Sequence, residues 1–219
     1  MRIAAIADLH GHLPETPECD VLVIAGDLVP FPLVHDPPGQ AAWLHATFRP
    51  WLAERPAGRI VGIAGNHDDV FEDGPVRPPE LPWTYLQDSG CAIDGVRFWG
   101  VPWTPWFFDW AFNAPRGDAD EAFLTERFAR VPDDTDVLVV HGPPRGYGDR
   151  TTGGDRVGST AQLDCIDRVA PKACIFGHIH EDRGAWTRGT TRLLNVAAVD
   201  ADRAPVADAA VVLDVAAAG

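Results

Sequence analysis

The chain has 219 residues, and this length predicts one domain, over 1–219. It is 46% hydrophobic and 23% charged, as ordinary globular proteins are, and its 21 Gly and 20 Pro stay below the share typical of disordered chains. With 18 Lys and Arg against 32 Asp and Glu, the formal net charge is -14, which repels polyphosphate backbones and anionic lipid headgroups. We therefore expect neither nucleic-acid binding nor a membrane partner.

The apolar and cysteine patterns favour a cytoplasmic location. No apolar run approaches the roughly 18–20 residues of a membrane span, and the apolar start at 3–7 is too short for a signal peptide. The four cysteines form no CxxC pair, in a chain long enough to fold without disulfides; they are Cys19, Cys91, Cys165 and Cys174. We expect them to be reduced, and most of them to be packing thiols.

Predicted strands alternate with predicted helices along the chain. Short β-branched or Ala-rich runs, typical of strands buried on both faces, occur at 2–7, 21–25, 60–64, 137–140 and 173–176. Further strands are predicted at 97–101, 192–198 and 209–215. Pro-rich surface loops are predicted at 29–39 and 74–82. This alternation predicts an α/β layered fold.

The first two predicted helices differ in how well their ends are defined. Residues 40–54 carry apolar side chains at helical spacing, but Pro50 removes an internal hydrogen bond at a cost of roughly 3 kcal/mol. We therefore expect a kink or an early end there. The next helix is predicted to begin at Asp118, with Glu121 in the reciprocal capping position.

A third helix is predicted from a capping box at Ser159. The Ser159 hydroxyl can accept the amide hydrogen three residues on, while the side chain of Gln162 reaches back to the start of the helix. Apolar residues then recur at helical spacing, and Pro171 stops the helix.

Each of the first five strands is followed within two or three residues by groups that can bind a metal ion. These are Asp8-Leu9-His10, Gly26-Asp27, Gly65-Asn66-His67-Asp68, His141-Gly142 and Gly177-His178-Ile179-His180. Any one of them alone is more common as an ordinary turn or strand end. Because ligands bind at the carboxyl ends of strands in α/β sheets, we expect all five to meet in one place. The glycines are expected to supply positive φ or close backbone approach.

The candidate donors are imidazoles, carboxylates and a carboxamide, with no thiolate. This mixture suits Mn, Fe, Zn, Ni or Co better than Cu(I) or an iron–sulfur cluster, and the several imidazoles argue against Ca or Mg as the only metal. Asp8 and Asp27 contribute two negative charges, so two divalent ions would leave the site net positive by about two. Such a centre can hold a phosphate ester despite the acidic surface.

In this order the motifs D-x-H, GD, GNHD, HG and GHxH resemble those of the calcineurin-like metallophosphoesterases. The tryptophan-rich segment 99–113 and the sequence His141-Gly142-Pro143-Pro144 are similar to the small metallophosphoesterase-domain-containing branch. The resemblance implies two mixed β-sheets packed face to face and flanked by helices. It also implies metal-dependent hydrolysis of phosphate esters, above all small phosphodiesters such as cyclic nucleotides.

The resemblance further implies a centre of two divalent transition metal ions. One ion would be held by Asp8, His10, Asp27 and His180, and the other by Asp27, Asn66, His141 and His178. Asp27 would bridge, leaving positions for a hydroxide and a substrate oxygen. His67 would protonate the leaving group while Asp68 orients its ring, the ordinary alternative being a capping pair.

Two further contacts to the substrate are predicted from loops. Arg145 could clamp a phosphate oxygen with two hydrogen bonds, although Arg150 and Arg156 compete for that role. His12 lies two residues beyond the first motif and could touch the substrate, or could be a solvated loop residue.

The tryptophan-rich segment offers an aromatic contact. Trp103 is the predicted substrate contact, and both Trp103 and Trp106 could stack a nucleobase or pack in the core. Trp99 and Trp110 are expected to pack.

Two alternative functions stay open at this stage. One is a phosphomonoesterase acting on nucleotides or phosphoproteins. The other is a non-catalytic nucleotide-sensing or protein-binding module on the same scaffold, since fold alone does not secure function. The complete donor set together with His67 and Asp68 favours an enzyme acting on a small phosphate ester, with its oligomeric state undetermined.

Overall fold

The structure, a computed structural model, describes residues 1–117 and 119–216. Its strands are β1 Arg2–Ile6, β2 Cys19–Ala25, β3 Ala57–Ile63, β4 Thr84–Tyr85, β5 Ser89–Ile93, β6 Val96–Val101, β7 Val137–Val140, β8 Ala173–Phe176, β9 Gly184–Arg188, β10 Thr191–Asn195 and β11 Val211–Asp214. Its α-helices are α1 Pro37–Trp43, α2 Arg49–Ala53, α3 Asp120–Phe128 and α4 Thr160–Val169.

The strands form two mixed sheets, which confirms the predicted architecture. The first sheet has the order β11-β1-β2-β3-β4, with β1 to β4 parallel and β11 antiparallel. The second has the order β5-β6-β7-β8-β10-β9, with antiparallel strands at both edges. The sequence analysis did not predict strands β4, β5 and β9. All three lie at sheet edges, where exposed and buried residues mix and the hydrophobic pattern is weak.

Each sheet buries both faces, which explains the continuous apolar runs of its central strands. Along β1, Ile3 packs between the two sheets while Ile6 faces the helices of the first sheet. Those helices contribute Leu44 and Phe48 to the outer layer. On the far side, α3 and α4 cover the second sheet with side chains such as Ile166. The result is four layers, helix, sheet, sheet and helix.

The helix predicted at 40–54 has different bounds and a different break. α1 starts at Pro37, inside the predicted loop 29–39, because the Asp36 carboxylate accepts the Gly39 N–H at 3.1 Å and caps it. A π-helical turn over Leu44–Phe48 then joins α1 to α2. Pro50 stands in the first turn of α2, directly after this π-helical turn, which interrupts the regular α-helical hydrogen bonding that proline, lacking an N–H, cannot join. The chain therefore stays helical through Pro50.

The helix at 160–169 confirms the predicted start but only half of the capping box. The Ser159 hydroxyl accepts the Gln162 N–H at 3.2 Å. The Gln162 side chain points instead to the Cys174 sulfur, so its predicted return contact is wrong. At ten residues this is the longest helix of the described chain, and none there has the length and apolarity to cross a membrane.

Glu121 caps α4 rather than its own helix. Its carboxylate accepts the Thr160 and Ala161 N–H groups at 3.1 and 2.9 Å, so it ties α3 to the start of α4. The reciprocal cap predicted for Glu121 is therefore wrong. α3 begins at Asp120, and the predicted start at Asp118 lies outside the described residues.

All four cysteines are free thiols. Cys19, Cys165 and Cys174 are buried and Cys91 is half-buried. Burial raises the pKa of the Cys165 thiol to about 11 and also raises that of Cys174, so both thiols stay protonated. The prediction of packing thiols is confirmed.

Candidate metal centre and substrate cleft

The five motifs meet at the carboxyl ends of the central strands, where three overlapping groups of donors form. In each group, ligand atoms from three residues lie within 4.8 Å of one another. The groups are Asp8, His10 and His180; His10, Asp27 and His67; and Asp8, Asp27 and His141. The parallel strands of both sheets end on the same side, which brings together residues 170 positions apart in sequence.

Several of these residues adopt left-handed backbone conformations. The φ angles are 53° at Asp8, 43° at His10, 55° at Asp27 and 71° at His178. Such angles cost about 1–3 kcal/mol each in non-glycine residues and require surrounding structure to hold them. Hydrogen bonds supply that support: the His178 N–H donates to both Asp8 oxygens at 2.9 Å, and the His67 N–H donates to Asp27 Oδ1 at 2.9 Å.

The motif glycines serve mainly as close-approach positions. Only Gly26 among them has a positive φ, of 93°. A Cβ at Gly65 would overlap Asp27 and come within 2.7 Å of His141 Cε1, and one at Gly177 would overlap the Asp8 carboxylate. Apart from Gly26, the left-handed conformations in these turns therefore belong to the aspartates and histidines and not to the motif glycines.

Asp27 lies at the centre of the donor cluster, buried and facing three imidazoles. Its Oδ2 is 3.6 Å from His10 Nε2 and 3.7 Å from His67 Nε2. Its Oδ1 is 3.4 Å from His141 Nε2. Two ligand atoms about 2.1 Å from one ion at a tetrahedral angle lie about 3.4 Å apart, so these separations fit donors that share a cation.

Asp8, His10 and His180 form a second set with the same spacing. His180 Nε2 is 3.5 Å from Asp8 Oδ1 and 3.2 Å from His10 Nε2. Buried side-chain nitrogens near the cluster lack a hydrogen-bond partner among the described residues, at His10 Nδ1 and Asn66 Nδ2. Crowded oxygen and nitrogen donors around two buried carboxylates fit divalent metal ions.

His141 is oriented toward the cluster by the backbone. Its Nδ1–H donates to the Ala25 carbonyl at 2.9 Å, which leaves Nε2 facing Asp27 and 2.7 Å from Asn66 Oδ1. Burial opposes a positive charge on His141, but the Asp27 and Asp8 carboxylates outweigh it and raise its pKa to about 9. The two carboxylates therefore draw compensating positive charge into the site.

Two further imidazoles, His10 and His178, are held neutral, the form that binds metal ions. Burial lowers the pKa of His10 to about 4 and that of His178 to about 3. Burial opposes a charge on His180 as well, but the Asp8 carboxylate outweighs it and raises the pKa of His180. The His178 ring lies 5.1 Å from the His141 ring and lines the adjacent cleft, but it is in none of the three close groups.

Asp68, predicted to orient His67, forms no hydrogen bond with it among the described residues. The buried Asp68 carboxylate instead accepts three backbone N–H groups, from Leu28 at 2.9 Å, Val29 at 3.2 Å and Gly65 at 2.8 Å. Burial raises its pKa to about 7. Asp68 thus joins the turn after β2 to the turn after β3, the two turns that carry Asp27 and His67.

His67 stands between the donor cluster and a cleft. Its ring centroid is 5.1 Å from His10 and 4.5 Å from Trp110. Burial lowers the pKa of His67, and its Nδ1 has no hydrogen-bond partner among the described residues. Because His67 Nε2 also faces Asp27, the geometry permits either a catalytic or a metal-binding role.

The cleft has a volume of about 330 Å³ and two kinds of wall. The polar floor comes from the donor cluster and includes Asp27, His67, His178 and His180. The apolar wall includes Phe31, Trp106, Phe107 and Trp110, and Arg203 lines the mouth. An anionic group at the floor would therefore have an aromatic surface beside it.

The contacts predicted from loops lie elsewhere. Trp103 packs inside the protein, where its Nε1–H donates to Asp88 at 3.0 Å. The Arg145 guanidinium donates to the Arg156 carbonyl at 2.8 Å, and His12 is exposed outside the lining of the cleft. None of the three side chains lines the cleft, and hydrogen bonds hold those of Trp103 and Arg145 elsewhere.

Sequence reasoning misplaced or missed three residues of the cleft. Trp110, expected to pack like Trp99, lines the cleft instead, whereas Trp99, in β6, does pack against the apolar cluster formed with α3 and α4. Phe31 stacks on the His10 ring at 4.0 Å, and Arg203 lies 3.9 Å over Phe31. Arg203 follows β10 in a segment without a motif, so no sequence signal could have identified it.

The scaffold has two sheets, and carboxylates and imidazoles from five strand ends meet near one buried aspartate. This arrangement is that of a metal-dependent phosphoester hydrolase. The sequence profile of the family described as Calcineurin-like phosphoesterase matches residues 1–182, and the chain belongs to that family. Membership implies a centre of divalent metal ions, and the donor groups around Asp27 fit one.

Relatives and solved structures agree with this assignment. Metallophosphoesterase domain-containing protein 1 of Homo sapiens is 32% identical over 234 residues, covering 94% of this chain and 68% of that protein. UPF0046 protein K07C11.7 of Caenorhabditis elegans is 32% identical over 217 residues, covering 90% and 69%.

Two solved structures share the fold at low identity. The phosphopantetheinyl hydrolase of Mycobacterium tuberculosis has a TM-score of 0.56 at 16% identity, covering 89% of this chain and 88% of that one. TT1561 of Thermus thermophilus has a TM-score of 0.53 at 15% identity, covering 90% and 88%. At these identities the likeness concerns the fold alone.

Proposed function

We propose that this protein is a dinuclear phosphodiesterase that hydrolyses small phosphodiesters such as cyclic nucleotides. The observation that carries the proposal is the position of Asp27, whose two oxygens face different donors. Oδ1 faces His141 at 3.4 Å, and Oδ2 faces His10 at 3.6 Å. A carboxylate placed in this way is suited to bridge two cations.

The proposed ligand sets follow from the donor groups and the motifs. Asp8, His10, Asp27 and His180 hold one ion, and Asp27, Asn66, His141 and His178 hold the other. When bound, such ions supply Lewis acidity and a water nucleophile at neutral pH. The nitrogen and oxygen donors favour Mn, Fe, Zn, Ni or Co.

His67 is the proposed general acid. As water attacks phosphorus, the bond to the leaving oxygen breaks, and the alkoxide takes a proton from His67. Burial in the free protein lowers the pKa of His67, whereas an anionic ester beside the ring raises it. His67 lies between the floor of the cleft and its aromatic wall. From this position its ring can reach the leaving group of an ester bound at the floor.

Arg203 is the proposed contact to the phosphate, in the role predicted for Arg145. Its guanidinium forms no ion pair with the described residues and lies over Phe31 at the mouth of the cleft. A guanidinium held against an aromatic ring keeps its hydrogen-bond donors available for a non-bridging phosphate oxygen.

The proposal is tested by a matrix of metals against substrates. Purified protein is loaded with each transition metal in turn and assayed on 2′,3′- and 3′,5′-cyclic nucleotides, linear diesters and monoesters. A preference for diesters supports the proposal. A preference for monoesters makes the protein a phosphomonoesterase, and tight nucleotide binding without turnover under any metal makes it a binding module.

We also infer a cytoplasmic location from the free, buried thiols. The net charge of -14 disfavours polymeric nucleic acid as the substrate.

A further inference from the structure

We propose that residues 104–113, the aromatic loop, form a subsite that binds a planar aromatic ring, such as a nucleobase, in the leaving group of the substrate. The inference rests on the proposed function, since the ring would belong to the ester that the metal centre hydrolyses. It adds a specificity site that the metal-binding motifs do not contain.

The aromatic loop faces the same cleft as the donor cluster. Trp106, Phe107 and Trp110 line this cleft together with His67 and His180. The Trp110 ring lies 4.5 Å from the His67 ring, so one wall of the cleft continues directly into the proposed acid. A leaving group that takes its proton from His67 would therefore lie beside Trp110, whose ring is 5.3 Å from that of Phe107.

The rings are exposed to an unusual degree. Trp106 is 38% exposed and Phe107 is 49% exposed, in a protein whose net charge is -14. Exposed apolar side chains that share one cleft mark a binding surface. Aromatic faces bind planar rings by stacking, which tolerates different bases because every base presents a π face.

The aromatic loop is held in shape by its own hydrogen bonds, as a binding wall requires. The Asn113 side-chain amide donates to the Phe107 and Phe108 carbonyls at 3.2 and 2.9 Å. The Ala111 N–H donates to the Asn66 carbonyl at 3.0 Å, which couples the aromatic loop to a proposed metal ligand. The rings are therefore positioned before a substrate arrives, which reduces the entropy lost on binding.

A cation also stacks on one ring of the wall. The Arg116 guanidinium lies 4.6 Å from the centroid of the Trp106 ring. Stacking by Arg116 restricts the orientation of this exposed ring.

The test compares two ligands that differ only in the ring. Adenosine 5′-monophosphate and ribose 5-phosphate are titrated into the metal-loaded protein by calorimetry, and the ratio of their affinities is measured. The wild type is expected to favour the nucleotide. Trp106→Leu and Phe107→Leu remove a ring but keep apolar bulk, and each is expected to reduce the ratio on the order of tenfold. Trp106→Phe keeps a ring and retains most of the preference.

Val212→Ala is the control, because it also removes exposed apolar surface but does so outside the aromatic loop. Val212 is 39% exposed on β11 and does not line the cleft. The affinity ratio of this variant is expected to equal that of the wild type. Equal wild-type affinities for the two ligands, or an equal effect of Val212→Ala and Phe107→Leu, would overturn the subsite.

The test separates this inference from the proposed function. Hydrolysis of diesters without any preference for a ring overturns the subsite alone. Absence of hydrolysis under every metal, together with absence of binding of either ligand, overturns the proposed function and the subsite with it.

Discussion

Asp68 gives the sharpest test of how the metal-binding turns are held together. Its carboxylate accepts backbone N–H groups from Leu28, Val29 and Gly65, all of them buried. Asp68→Ala leaves three donors without an acceptor, and each unsatisfied buried donor costs about 1–3 kcal/mol. We expect a loss of about 3 kcal/mol or more in the free energy of unfolding, since three donors are affected.

The measurement is urea unfolding followed by circular dichroism. For a slope of about 2 kcal/mol/M, a loss of about 3 kcal/mol lowers the midpoint by about 1.5 M. Asp68→Asn keeps the shape and one accepting oxygen, so its midpoint is expected between those of the wild type and Asp68→Ala. The control, Asp73→Ala, removes an exposed carboxylate paired with Arg77 and is expected to stay within about 0.5 kcal/mol of the wild type.

The outcome separates a structural role for Asp68 from an orienting role toward His67. If Asp68 oriented the ring, Asp68→Asn would reduce kcat while leaving the unfolding midpoint unchanged. That pattern would refute the reasoning from the three backbone hydrogen bonds.

Four other substitutions test separate parts of the structure. His67→Asn is expected to lower kcat about 10²–10⁴-fold with the bound metal unchanged by elemental analysis; a parallel loss of metal would instead make His67 a ligand. Gly65→Ala forces a Cβ against Asp27, so elemental analysis is expected to show reduced metal content in a protein whose circular dichroism is retained. Glu121→Ala removes the acceptor of the Thr160 and Ala161 N–H groups at the start of α4, while Ser159 still caps Gln162. It is expected to cost about 1–2 kcal/mol in urea unfolding, a result that an unchanged midpoint would contradict. Arg203→Gln is expected to raise KM for anionic esters about 5- to 30-fold, which corresponds to about 1–2 kcal/mol, while Arg203→Lys raises it less. An equal KM in Arg203→Gln and wild type would exclude the phosphate contact.

Local sequence was enough to predict the strands that carry the site. Runs such as Val137–Val140 are apolar throughout because they lie between a helix layer and a second sheet. The polar residues directly after such runs had to lie at the strand ends. Since parallel strands end on one side, the convergence of Asp8, Asp27 and His141 followed from the order of the motifs.

The contacts beyond the motifs could not be predicted in the same way. Asp68 was assigned to the neighbouring His67, whereas its hydrogen bonds reach Leu28, forty residues away. Glu121 was assigned to its own helix, whereas it caps α4. In both cases the side chain accepts hydrogen bonds from backbone N–H groups of a distant segment, although it has possible partners nearer in sequence.

The sequence by itself determined which candidate donors stand at which strand ends, because burial on both faces makes each central strand a continuous apolar run that the polar residues directly follow. Only the tertiary structure decided which residues line the cleft. Trp110 and Arg203 lie beside His67 through the packing of loops, and loop packing depends on contacts between remote segments that leave no local pattern in the sequence.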